Sequence, residues 1–250
     1  MLPRVLGGVV VLVVATAVRA DIPACTVQVD DPEVVFPVEQ MEHPALCRVA
    51  SVVNDYTTHR TVPAIQTPIQ KPVYDFLLDH PVLTAVLARN LALGGYRIAR
   101  IGPDTFHGDD GQGAEGVFTL LYRDTMRRVY HVQGSHRGRL FPLLTGEAIV
   151  MLHDHARTGA EGQASVETRM TVYSRIENPV LAMLVKVLQP ILRRVVSDKL
   201  TNAFLVVHRL GEVIAGDPEL VTRLVEATPE LDPAEVAALK GMLSHRAPAR

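Results

Sequence analysis

Leu188, Leu192, Val196, Leu200, Phe204, Val207, Leu210 and Ile214 recur at the spacing of one helical face, while Arg193, Arg194, Lys199 and Arg209 fall largely off it. This predicts a single amphipathic helix from Gln189 to Ala215, roughly 39 Å long at 1.5 Å per residue. Pro190 suits its first turn, and Gly216 sits where a helix stops. A helix that long needs a sheet or bundle to lie on. Ahead of it, from Tyr96, the period drops to two. Tyr96 to Ile101, Thr105 to Asp109, Gly116 to Tyr122, Arg127 to Gln133, Gly146 to His153 and Ser165 to Ile176 read as six strands, joined by Gly- and Asp-rich turns too short for parallel crossovers. They predict an antiparallel meander. Val166, Thr168, Met170 and Val172 alternate with Glu167, Arg169, Thr171 and Tyr173, which implies one dry and one wet face. The strand from Gly146 is apolar at both parities, so it is expected to be central and covered on both sides.

The flanks have a different texture. Pro72 to Leu93 reads as two short helices, with Asp79 as N-cap of the second and Pro81 in its first turn. Asn178-Pro179 starts a helix over 180–188 that leads into the long one. After Gly216, Asp217-Pro218 and Asp232-Pro233 each start a short acidic helix, and together these predict a small C-terminal appendage over 217–250. Between 21 and 70, prolines at 23, 32, 37, 44, 63 and 68 predict an extended leader, with Val34-Val35-Phe36 and Val49 to Val53 as pieces able to dock. Residues 1–20 carry Arg4, an apolar run to Val18 and Val18-Arg19-Ala20. The run has the length of a cleavable export signal and is short for a membrane span; an uncleaved N-terminal anchor is the alternative. Cys25 and Cys47 are the two cysteines, and in an exported chain they are expected to pair.

The order of helix pair, antiparallel meander and long C-terminal helix, with the Asn178-Pro179 turn before that helix, resembles the helix-grip fold of the START-like (SRPBCC) superfamily. The resemblance covers Pro72 to Ala215 and a START-like domain over 71–216. It implies an α+β fold whose meander curls around the long amphipathic helix and leaves an apolar cavity between them, with a hydrophobic small molecule or lipid as partner. The superfamily's usual first strand, ahead of the helix pair, would fall on Val49 to Val53 or be missing. The cavity would be lined by Phe118, Leu120, Tyr130, Val132, Met170 and Val172 from the strands, and by Leu200, Phe204 and Val207 from the helix. Tryptophan is absent from the chain, so none lines it.

Charge and local motifs narrow the reading further. With 25 Lys and Arg against 27 Asp and Glu, the chain lacks the basic balance of a nucleic-acid binder. Five arginines between Arg123 and Arg139 form a local basic run, either the solvated side of a strand pair or a rim for an anionic membrane surface. His153 and His155 share a strand face, and His131, His136 or Glu167 could supply a third metal ligand; two histidines alone are not a zinc site. The Gly108 to Gly116 loop lacks both the phosphate-loop and the calcium-loop pattern and reads as a hairpin turn. No nucleophile elbow or triad order is present, and no cofactor is called for. Three functions follow. The first is an exported, non-catalytic binding or carrier protein for a hydrophobic small molecule or lipid. The others are an exported metal-dependent or acid/base enzyme using the His153 and His155 strand, and an envelope scaffold that docks a partner on its tail or leader.

Overall fold

The structure is a computed structural model that describes residues 25–137, 143–160, 162–177, 202 and 204–244. The export signal, the Asn178-Pro179 turn, the helix expected over 180–188 and the front of the long helix, Leu200 included, lie outside the described residues.

The chain is α+β, with an open seven-stranded antiparallel sheet and helices after it. In order come α1 (His43–Val53), β1 (Thr58–Thr67), α2 (Lys71–Asp79), α3 (Pro81–Asn90), β2 (Arg97–Gly102), β3 (Thr105–Asp109), β4 (Ala114–Arg123), β5 (Arg127–His136), β6 (Leu144–Thr158) and β7 (Ala164–Ile176). Helical residues 204–216 (α4), α5 (Pro218–Glu226) and α6 (Pro233–Ser244) complete it. The strand order is β1-β7-β6-β5-β4-β3-β2, a meander closed at one edge by β1 on β7. This arrangement is consistent with a helix-grip fold.

All six expected strands form, with ends moved by a few residues. The first strand corrects an expectation. It is Thr58–Thr67, whereas Val49–Val53 is the last part of α1, where Pro44 occupies the first turn and Val49, Ala50, Val52 and Val53 are buried. Pro63 falls in the register shift between Val62 and Ile65 of an edge strand, the kind of place a sheet accepts proline.

The sheet is dry on both faces over its middle. On the inner face Val62, Ala148, Val150, Leu152, Met170 and Val172 form one core with Phe204 of α4. On the outer face Val129, Ile149, Met151 and Tyr173 pack under Val34, Phe36, Met41 and the α1 residues Val49, Val52 and Val53. Thus β6 is covered on both sides, as its two apolar parities imply. The wholly wet outer face expected for β7 is not found. Tyr173 lies buried against Phe36, with its ring stacked 4.4 Å from His59. The Cys25–Cys47 disulfide ties the start of this outer cover to α1.

A third core joins α2, α3, α4 and the C-terminal helices. Val207, Leu210 and Ile214 of α4 meet Val73, Tyr74, Leu77, Leu83 and Leu87 of the helix pair, together with Ile69 after β1 and Val166 on β7. Gly211 lets α4 approach the end of β1 closely, since a Cβ there would come 2.3 Å from Thr67 Cγ2. The two expected acidic helices form and cover the body: Val221, Val225, Leu231, Leu239 and Leu243 belong to this core. Asp217 caps α5 as expected, accepting the Leu220 N–H at 2.8 Å.

Reduction of the disulfide removes a constraint on a 22-residue separation, and is expected to lower unfolding stability by about 3 kcal/mol. Urea unfolding with and without reductant measures the change.

Candidate functional site

Inner-face side chains follow from register. Phe118 pairs with Val132 and Leu120 with Tyr130 across β4 and β5, while Val132 pairs with Ala148 across β5 and β6. At the end of the sheet where β3 turns into β4, this face encloses one side of a cavity of about 260 Å³. Its apolar walls are Tyr96, Ile98, Phe118, Val132, Ala148 and Ile176, and Gly108, Gly116, Gly134 and Gly146 also line it. The lining includes no residue of α2 or α3 among the described residues.

Of the residues expected to hold a ligand, Phe118 and Val132 line this cavity. Met170, Val172 and Phe204 lie in the packed inner core, with Tyr130 against it. Leu120 opposes Tyr130 on the same face. Val207 packs with the helix pair. Sequence reasoning did not place Gly108, Gly116, Gly134, Gly146, Ile98 or His136 at a cavity: the glycines were read as turn signals or strand starts, Ile98 as a strand residue and His136 as a turn residue or metal-ligand candidate, before any register was known.

Polar groups flank the cavity at the β3–β4 hairpin, and a second set on β5 to β7 meets on the opposite, outer face beside α1. Asp109 Oδ1 accepts the Gly111 N–H at 2.7 Å, and Asp110 Oδ1 accepts those of Gln112 and Ala114 at 2.7 and 2.9 Å. These carboxylates shape a turn, as the spacing implies. Glu147 is shared by His131 at 2.8 Å and by Arg175, whose guanidinium also donates to the Ser51 carbonyl of α1 at 2.7 Å. Burial pushes the His131 imidazole below its usual pKa despite that carboxylate. His136 lines the cavity, and its buried Nδ1 has no hydrogen-bond partner among the described residues.

The histidines divide by position. His153 and His155 share the outer face with ring centroids 4.3 Å apart, and burial followed by the charge of His155 lowers the His153 pKa. His131 does not join them. It opposes Ile149, four positions along β6 from His153, and its ring is held by Glu147. Glu167, opposite His155, is engaged by Arg157 at 3.1 Å. Among the described residues, the close grouping of three metal-type side chains is Cys25, His43 and Cys47, whose sulfurs are joined to each other.

A second polar cluster lies about six residues further along the strands, roughly 20 Å from the glycine-lined end. Arg128, only 2% exposed, donates through Nη1 to Asp75 at 3.0 Å and Asp154 at 3.2 Å, and through Nη2 to Asp79 at 3.2 Å. Arg123 also reaches Asp79 at 3.2 Å. Asp79 therefore does not cap α3; its carboxylate faces the arginines, and His80 occupies the cap position without a side-chain bond. Burial raises the Asp154 pKa against the pull of Arg128, and burial with the Asp154 charge raises that of Tyr74, whose hydroxyl accepts from Thr168 at 2.8 Å. Three arginines of the basic run have carboxylate partners. Arg123 and Arg128 are held by α2, and Arg127 pairs with Asp124 at 2.7 Å.

No protein-family model matches the chain, and no curated protein matches it. Among solved structures, a conserved protein from Geobacillus kaustophilus is 13% identical with a TM-score of 0.42, covering 62% of this chain and 95% of that one. Norcoclaurine synthase from Thalictrum flavum is 17% identical at 0.39, covering 61% and 86%. Ara h 8.0201 is 10% identical at 0.35, covering 62% and 98%. Overlaps this loose bring no ligand or activity with them.

Two predictions arise from these polar clusters. Arg128→Ala strands Asp154 uncompensated and is expected to cost about 3–5 kcal/mol, with Arg128→Ala/Asp154→Ala recovering a measurable part; denaturant unfolding of the three proteins decides. At the β4–β5 turn, burial favours protonation of Asp124. Bonds from the Met126 N–H, the Arg127 side chain, the Tyr122 hydroxyl and the Arg127 N–H outweigh it and hold the pKa at about 2. A depressed carboxylate stabilises the fold above its unfolded pKa near 4 and loses that contribution as pH falls toward 2. Asp124→Asn should flatten this part of the stability profile between pH 4 and 2, read by thermal melts in acid.

Proposed function

We propose that this chain is an exported, START-like binding protein that holds a hydrophobic small molecule non-covalently in the cavity above β3 to β7. The observation that carries the reading is the 260 Å³ space walled by Tyr96, Ile98, Phe118, Val132, Ala148 and Ile176 on the inner face of the sheet. Concave, mostly apolar sites with few polar groups are the usual form of small-molecule sites. Two further features support it. The apolar run before Ala20 has the length of an export signal, and the Cys25–Cys47 disulfide suits an oxidising compartment. No helix among the described residues is long and apolar enough to cross a membrane.

Native mass spectrometry of protein purified without detergent is expected to show a small bound species that organic extraction releases. Gly108→Leu should abolish it without unfolding the chain. A Cβ at Gly108 meets only the Phe118 ring at 3.4 Å and Ile98 at 4.0 Å, so the added side chain enters the space and spares the backbone. Retention of the species in this variant, or an empty protein in repeated preparations, counts against the reading.

A further inference from the structure

The wall of the cavity lacks side chains along one line. Gly108 opposes Gly116 across β3 and β4, Gly116 opposes Gly134 across β4 and β5, and Gly134 opposes Gly146 across β5 and β6. Ile98 on β2 faces one end of this row, and Ile176 on β7 faces the other. All six residues line the cavity.

Packing forbids anything larger at three of the glycines. A Cβ on Gly116 would stand 2.4 Å from the Gln133 carbonyl oxygen, one on Gly134 2.9 Å from that of Glu115, and one on Gly146 2.5 Å from that of Arg175. The neighbouring strands close in at this line, and what faces the cavity is bare peptide. Peptide groups are planar, so such a wall makes continuous van der Waals contact with a flat face, whereas a puckered or flexible chain leaves gaps that forfeit dispersion energy. Phe118 and Tyr96 supply aromatic surface beside the row.

Size and charge narrow the class. An apolar cavity of about 150 Å³ holds one benzene, so 260 Å³ suits about two fused rings. Arg175 is the one Lys or Arg among the described lining residues, and its guanidinium is taken by Glu147 and the Ser51 carbonyl, so no cation is placed for an anionic head group. His136 adds to the lining a buried ring nitrogen that has no partner among the described residues. Building on the binding role proposed above, we infer that the ligand is a neutral, planar compound of two fused rings bearing a hydroxyl group that bonds to His136, and not a fatty acid or phospholipid.

The test is titration of the full chain with 2-naphthol, naphthalene, decahydro-2-naphthol and palmitate. The absence of tryptophan leaves naphthol fluorescence free of indole background. Expected are binding of 2-naphthol at least tenfold tighter than decahydro-2-naphthol or palmitate, and loss of 2-naphthol binding in Gly108→Leu. His136→Phe should weaken 2-naphthol by up to roughly tenfold and leave naphthalene unchanged. Equal or tighter binding of palmitate or decahydro-2-naphthol overturns the planar-ligand inference while leaving a hydrophobic binding role standing. Failure of all four probes, together with an empty native mass spectrum, removes both. A His136→Phe effect that is absent, or the same for naphthalene and 2-naphthol, overturns the assignment of His136 to the hydroxyl.

Discussion

The guanidinium of Arg128 has almost no contact with water, and a charge in that position needs partners with fixed geometry. Asp75 and Asp79, one turn apart on α2, supply two of them, and Asp154 on β6 supplies the third. The cluster therefore ties one helix to two neighbouring strands at a single point. An apolar substitute of equal volume could be as stable or more so, so the contribution of this arrangement lies more in placement than in energy. A hydrophobic contact tolerates sliding. A forked donor held between three carboxylates does not. With α2 set in this way, Tyr74 reaches Thr168 and Leu77 meets α4, and the helix pair covers the strands at the Arg128 end.

The other constraint is the cover on the outer face. A strand with apolar residues at both parities must be buried twice, and β6 obtains its second cover from residues 34–53. This leaves the inner face free to serve two purposes along its length. Over its middle it is filled by its own side chains and Phe204; toward the β3–β4 hairpin it is lined by glycine and left partly empty.

Much of the architecture was legible in the chain. Strand periodicity and turn chemistry gave the meander, Asp-Pro signals gave the C-terminal helices, and the double parity of the Gly146 strand implied its central place. What escaped had physical reasons. β1 was hidden because Pro63 argues against a strand until its register shift and edge position are known. α1 was hidden by its proline-rich surroundings. Arg128 was grouped with its neighbours by composition, although its parity matches Tyr130 and Val132, which belong to the inner face. The cavity was anticipated on that face, but its position depends on register. Only pairing reveals that glycines 8, 18 and 12 residues apart stand side by side.

That juxtaposition links close backbone approach and empty space along one line of the sheet. At Gly116, Gly134 and Gly146 the facing backbones approach within the space a methyl group needs, so any other residue would push adjacent strands apart. A void produced by missing side chains in an otherwise rigid packing usually costs stability. Here the missing side chains are what allow the strands to close in, and the lost contacts are offset by backbone packing. Along this line the space is therefore bounded by hydrogen-bonded strands, with Ile98, Phe118 and Ile176 completing its walls.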